Sequence, residues 1–204
     1  MTTSSVPTET SAMPEHHLQP IITGALESLS QVHALLSDTS QDQYVHVCVP
    51  HVQSSMGSHV RHILDMFYAF ELGVTQNEVI DYDLRRRGAA IETSLSDALT
   101  NINQTIDWIK NTFVPTHAQI DTDTALLASV LSAPAKVKTE VCLSHTVSVH
   151  VESNVGRELI FVASHAVHHF ALLATIAKLQ GLSLDDHFGV APATRTFLRQ
   201  EQAR

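Results

Sequence analysis

Basic residues are few: twelve Lys and Arg stand against twenty-one Asp and Glu, for a formal net charge of −9. The longest basic run is Arg85-Arg86-Arg87, too short to neutralise a phosphate backbone from a surface that is otherwise acidic, which excludes a nucleic-acid partner. Cysteine is scarcer still. Cys48 and Cys142 lie far apart and outside any Cys-x-x-Cys spacing, so they make neither a disulfide framework nor a zinc finger and read as reduced, inert thiols. Long apolar runs are missing as well: the most apolar stretch, 159–173, is broken by three histidines, and without about 18 uninterrupted apolar residues no membrane span is expected. Residues 1–16 are rich in Thr and Ser but lack a basic n-region and an apolar h-region. They read as a disordered leader and not a signal peptide, and the chain is expected in the cytoplasm.

What remains is enough for one domain. The chain has 204 residues, of which 44% are hydrophobic and only 16% charged, a composition that supports a single core over 17–204. Over 17–37, Leu18, Ile21, Ile22, Ala25, Leu29, Val32 and Leu36 keep helical spacing, with Pro20 tolerated in the first turn. The segment 40–53 reads as a connection, extended in part. A second helix is expected from Ser54 or Ser55 as N-cap to Gly73 as its terminating glycine, with Met56, Val60, Ile63, Phe67 and Phe70 as its buried stripe. After a polar loop over 81–87, Ser94 and Asp97 resemble a capping box that opens a third helix, which Pro115 ends. The period falls to two over 136–152, a hairpin turning near 144–146. A fourth helix then runs from Ser153 to Gln180, closed by Gly181, and 182–204 is expected to pack as an irregular strap. The fold class expected is all-α, a four-helix bundle with a small β-hairpin before the last long helix.

Histidine is the one residue in excess: fourteen, more than all Lys and Arg together. On the last helix His169 falls within the apolar arc and His165 at its edge, and an i, i+4 pair can aim two imidazoles at one ion inside the bundle. His168 lies further round the wheel, exposed or behind the ligands. The second helix offers His59 near the centre of its apolar stripe and His62 nearer the edge, and wheel geometry alone does not choose between them. A lone histidine is most often a satisfied core or surface imidazole. Several converging from two helices are different, because burying each costs about 1–3 kcal/mol unless it finds a partner, and one metal ion serves them all.

Four segments carry a resemblance: Gly57-Ser-His-Val-Arg-His62-Ile-Leu-Asp65, Asp81-Tyr-Asp-Leu-Arg85-Arg-Arg87-Gly, Gly156-Arg-Glu-Leu-Ile-Phe-Val-Ala-Ser-His165-Ala-Val-His168-His169 and Phe188-Gly-Val-Ala-Pro-Ala-Thr194. Together they resemble the DinB-like superfamily over about residues 18–198. That resemblance implies a four-helix bundle, often dimeric, in which three histidines hold one divalent metal. It places the ligand of the second helix at the histidine that opens a His-x-x-Asp step, His62, beside His165 and His169. Zinc is the first expectation, with nickel or iron as alternatives.

Three imidazoles leave coordination positions open, as catalytic metal sites do. No protein thiol accompanies these motifs, so a thiolate would come from a small cosubstrate. Asp65 is a candidate for orienting water or a ligand. Arg157 and Glu158 are candidates for anchoring substrate, or for pairing with Asp81, Asp83 and Arg85. The expectation is a metal-dependent transferase or hydrolase acting on a small molecule, with a low-molecular-weight thiol as a candidate. The alternative is a non-catalytic metal-binding or stress-response domain. A homodimer would bury any apolar stripe left over.

Overall fold

The computed structural model describes residues 18–114 and 120–204. The expected leader and Pro115 lie outside them. The chain is mainly helical, with one small sheet, in the order α1 (Leu18–Ser37), α2 (Gln41–Val45), α3 (Met56–Gln76), β1 (Ile80–Asp81), α4 (Ala90–Thr93), α5 (Leu95–Phe113), α6 (Ile120–Ser132), β2 (Pro134–Glu140), β3 (Ser148–Asn154), α7 (Val155–Leu179) and α8 (Pro192–Gln202). Helix α1 packs against α5 and α7, and α3 packs against the same two. The stripes read from the sequence meet in that space: Ile22, Leu29 and Leu36 of α1, Val60, Phe67 and Phe70 of α3, Ile102 and Ile109 of α5, and Leu159, Val162, Phe170 and Leu173 of α7 are all buried.

Caps set the helix starts. Ser55 accepts from the Ser58 N–H at 3.2 Å, and Asn154 from the Arg157 N–H at 2.8 Å. The last long helix thus begins two residues later than expected, at Val155, and the Ser153 hydroxyl is spent on Glu158 instead. Ser94 caps α5 by accepting from Asp97 N–H, whereas the complete capping box is at Ser40 and Gln43, opening the short α2 in a segment expected to be a connection, extended in part. Helix α3 runs past Gly73 to Gln76 and ends on Asn77 at φ 54°, left-handed, with its N–H returned to the Gly73 carbonyl. Gly73 is instead a close-approach residue, since any side chain there would collide with Ile80.

Three further elements differ from the sequence reading. Helix α6 was not anticipated. The loop at 81 begins with β1, which pairs parallel to β2 through Ile80↔Val137 and Asp81↔Lys138, so the expected hairpin is part of a three-stranded sheet. The tail is a strap only at first. Phe188 stacks on Phe170 at 5.2 Å and Gly189 N–H donates to Gln31; then α8 forms, with no buried residue, from a segment poor in apolar side chains. Helix α7 has the length and apolarity of a membrane span, with a mean hydropathy of 1.7 over its most apolar window. A core helix passes the same test, and this one carries the histidines.

Candidate metal centre

Helix α3 presents His62 and helix α7 presents His165 and His169, one turn apart. The structure brings these three together. His62 Nε2 lies 3.0 Å from His165 Nε2, and His169 Nε2 lies 3.1 Å from the same atom. His62 meets His169 edge to face at 4.7 Å between centroids, and His165 lies tilted against His169, also at 4.7 Å. All three are partly buried.

This contact is frustrated without a cation. Each Nε2 carries either one proton or one lone pair, so His165 Nε2 satisfies one of its two neighbours and not both. Protonation does not relieve it, because burial is the largest cause that lowers the pKa of each ring. His62 is pulled to about 4 by burial and then by Arg85, His165 and Arg61, against an opposite pull from Asp65. His169 is pulled to about 3 by burial and then by its neighbouring histidines, and His165 is lowered by burial, His168 and Arg85. All three rings are therefore neutral, the state in which imidazole donates a lone pair. Zinc–nitrogen bonds of about 2.0–2.1 Å at tetrahedral angles hold ligand atoms about 3.3–3.4 Å apart, within a few tenths of an ångström of the two separations found here. His169 Nδ1 is buried without a hydrogen-bond partner.

The other histidines stand back. His59 lies beside the cluster, its ring 5.7 Å from His169 and its pKa lowered by burial. His168 is exposed, 5.7 Å from the His169 ring.

Asp65 does not face the cluster as a free carboxylate. It is 1% exposed, and its oxygens take Arg61 Nη1 at 2.6 Å, Arg86 Nε at 2.8 Å and the Arg86 N–H at 3.3 Å. Arg61 Nε also lies 3.0 Å from Glu92. Glu158 is fully buried and accepts from Tyr82 Oη at 2.7 Å, Ser153 Oγ at 2.5 Å and Arg157 Nη1 at 2.6 Å. Burial and the Glu158 carboxylate push the Tyr82 phenol well above its ordinary value, so it stays a donor. Arg157, with 60% of its side chain exposed, lies over the Phe161 ring, which in turn lies 5.9 Å from the His165 ring. The expected pairing of Arg157 and Glu158 with Asp81, Asp83 and Arg85 is not made. Asp81 binds Lys138 at 2.7 Å, and Arg85 donates to the carbonyls of Tyr82 and Leu84.

Sequence reasoning missed Arg61, Arg86, Tyr82 and Ser153 as partners of these acids. Arg61 was within reach as an i, i+4 partner of Asp65, and Ser153 lies only five residues before Glu158; Arg86 and Tyr82 come from a separate loop and left no local signal.

No family model matches the chain. Over 126 residues, 60% of its length, it is 30% identical to FK506-binding protein 5 of Rhizopus delemar, and the match spans 28% of that relative.

Proposed function

We propose that this chain is a divalent-metal protein in which His62, His165 and His169 hold the ion, built on a DinB-like four-helix bundle of α1, α3, α5 and α7. The observation that carries the reading is the convergence of three neutral Nε2 atoms from two helices on one point. The packing of α1 and α3 each against α5 and α7 supports the bundle. Zinc suits three imidazoles best, with nickel or iron as alternatives. A divalent ion so held supplies Lewis acidity to a small substrate at its remaining positions.

The chain's own contribution follows from placement. Arg157 is the candidate with reach, since its guanidinium is largely exposed above Phe161 beside His165. It would hold an anionic group, such as a small thiolate or carboxylate, next to the cluster. Asp65 and Glu158 have their oxygens filled by donors and act as positioning residues: Asp65 fixes Arg61 and Arg86, and Glu158 fixes Arg157 and Tyr82. This reading makes the protein a cytoplasmic transferase or hydrolase. A second reading is a domain that holds metal without a reaction. It is favoured by one observation: the cavities of about 990, 690 and 660 Å³ are not lined by any of the three histidines. FK506 binding, which the relative's name describes, forms no part of either reading.

The test is metal affinity of the untagged full chain by competition with a chromogenic chelator. His62→Ala, His165→Ala and His169→Ala each abolish tight binding, His59→Ala weakens it by about ten-fold if it orients a ligand, and His168→Ala and His33→Ala leave it intact. Equal loss in all variants sinks the assignment. Adding a small thiol to the cobalt-substituted protein separates the two readings, because only an open site gives a sulfur-to-cobalt absorption band.

A further inference from the structure

Strand β3 is the outer strand of the sheet, and among the described residues nothing pairs with its free edge. The direction of its backbone groups follows from the ladder. Val141 N–H donates to the Val147 carbonyl at one end, and Val155 N–H donates to the Ala133 carbonyl at the other. Hydrogen-bonded pairs alternate along an antiparallel ladder, so with Thr139↔Val149 and Val137↔Val151 in register it is the odd-numbered residues of β3 that bond to β2. The N–H and C=O groups of Ser148, His150 and Glu152 turn outward. The edge lacks the usual protection: Ser-Val-His-Val-Glu-Ser-Asn contains no Lys and no Pro, and Val151 is 48% exposed although its cross-strand partner Val137 is buried at 4%.

We propose that β3 pairs antiparallel with β3 of a second copy of this chain, about a two-fold axis at Val151, so that two three-stranded sheets become one. Self-complementarity selects both the partner and the register. An axis at Val151 places the outward-bonding His150 opposite Glu152 of the second copy, and Glu152 opposite His150 of the second copy. The two Val151 side chains then share the non-hydrogen-bonded pair on the axis, where side chains approach most closely. Moving the axis by one residue sets Glu152 against Glu152 or His150 against His150. The charge row on this face also continues across the junction. Asp81 stands beside Lys138, Lys138 beside His150, and Lys136 beside Glu152, so the proposed pairing carries this polar row from one sheet into the next. The surface is distinct from the apolar helix stripe that the sequence suggested for a dimer, and it does not rest on the metal reading.

The experiment uses the full chain with Cys142→Ser, which removes the exposed native thiol. Val151→Cys places two thiols on the axis at a Cα separation of about 4.5 Å, within disulfide range, and mild oxidation gives a covalent dimer. Val149→Cys places its two copies roughly 13 Å apart along the strands and gives none. In sedimentation velocity, Glu152→Lys raises the dimer dissociation constant about 5–10-fold, since two favourable His150–Glu152 cross-strand pairs are lost, and His150→Glu with Glu152→Lys restores it. A monomer at all concentrations, equal cross-linking at 149 and 151, or a dimer indifferent to both Glu152→Lys and the swap overturns the proposal. Circular dichroism of each variant confirms that these exposed substitutions leave the fold in place.

Discussion

Acid should unfold the metal-free protein through its histidine cluster. In the native state His62 titrates at about 4 and His169 at about 3, while both return to about 6.5 in the unfolded chain. The native rings stay neutral where the unfolded ones bind protons, so this contribution is constant above pH 6.5 and is lost as pH falls from 6.5 towards 3. At about pH 5 each ring costs about 2 kcal/mol, from about 1.5 pH units at 1.36 kcal/mol each. Both rings are only partly buried, and screening by water takes back about half, leaving about 2 kcal/mol for the pair. For a chain of this length that is a fall of about 4–8 °C in Tm. The assay is thermal unfolding followed by circular dichroism in excess chelator at about pH 7 and pH 5, for the native sequence and for His62→Gln with His169→Gln. Carboxylates titrate in both, so the difference between them isolates the cluster. An equal fall in Tm in the two proteins refutes the reasoning.

Two further outcomes follow from packing. Asp65→Asn leaves Arg86, its side chain 26% exposed, without its paired carboxylate and Arg61, 11% exposed, with Glu92 alone, and should cost about 2–4 kcal/mol in urea unfolding; a loss under about 0.5 kcal/mol would show that the buried pairs do not hold the loop. Gly57→Ala drives a methyl into the Glu92 carbonyl and within 3.0 Å of Tyr44, at a cost of about 1–3 kcal/mol, and an unchanged Tm would contradict that close approach.

Periodicity carries most of what was legible. The stripes of α1, α3, α5 and α7 are long and regular, and a helix that must bury one face cannot hide its spacing. The pair His165 and His169 was legible for the same reason, being local to one helix. The choice of His62 over His59 was not. His59 lies near the centre of the apolar stripe of α3 and His62 nearer its edge, and the geometry that selects His62 is the position of α3 against α7, which no property of α3 alone records.

The same division holds elsewhere in the chain. Composition and local spacing determined the helical class, the helix faces, the hairpin, the glycine stop at Gly181 and the histidine pair, because each depends on residues within a few turns of one another. Tertiary structure decided that β1 joins the hairpin, that Gly73 is kept small for Ile80, and that Asp65 and Glu158 are buried and spent on Arg86 and Tyr82 from a distant loop. It also decided that α8 forms without a core to face. Where the partner is remote in sequence, as for β1 with β2, Asp65 with Arg86 and Glu158 with Tyr82, a contact across the fold leaves no period for a sequence to show.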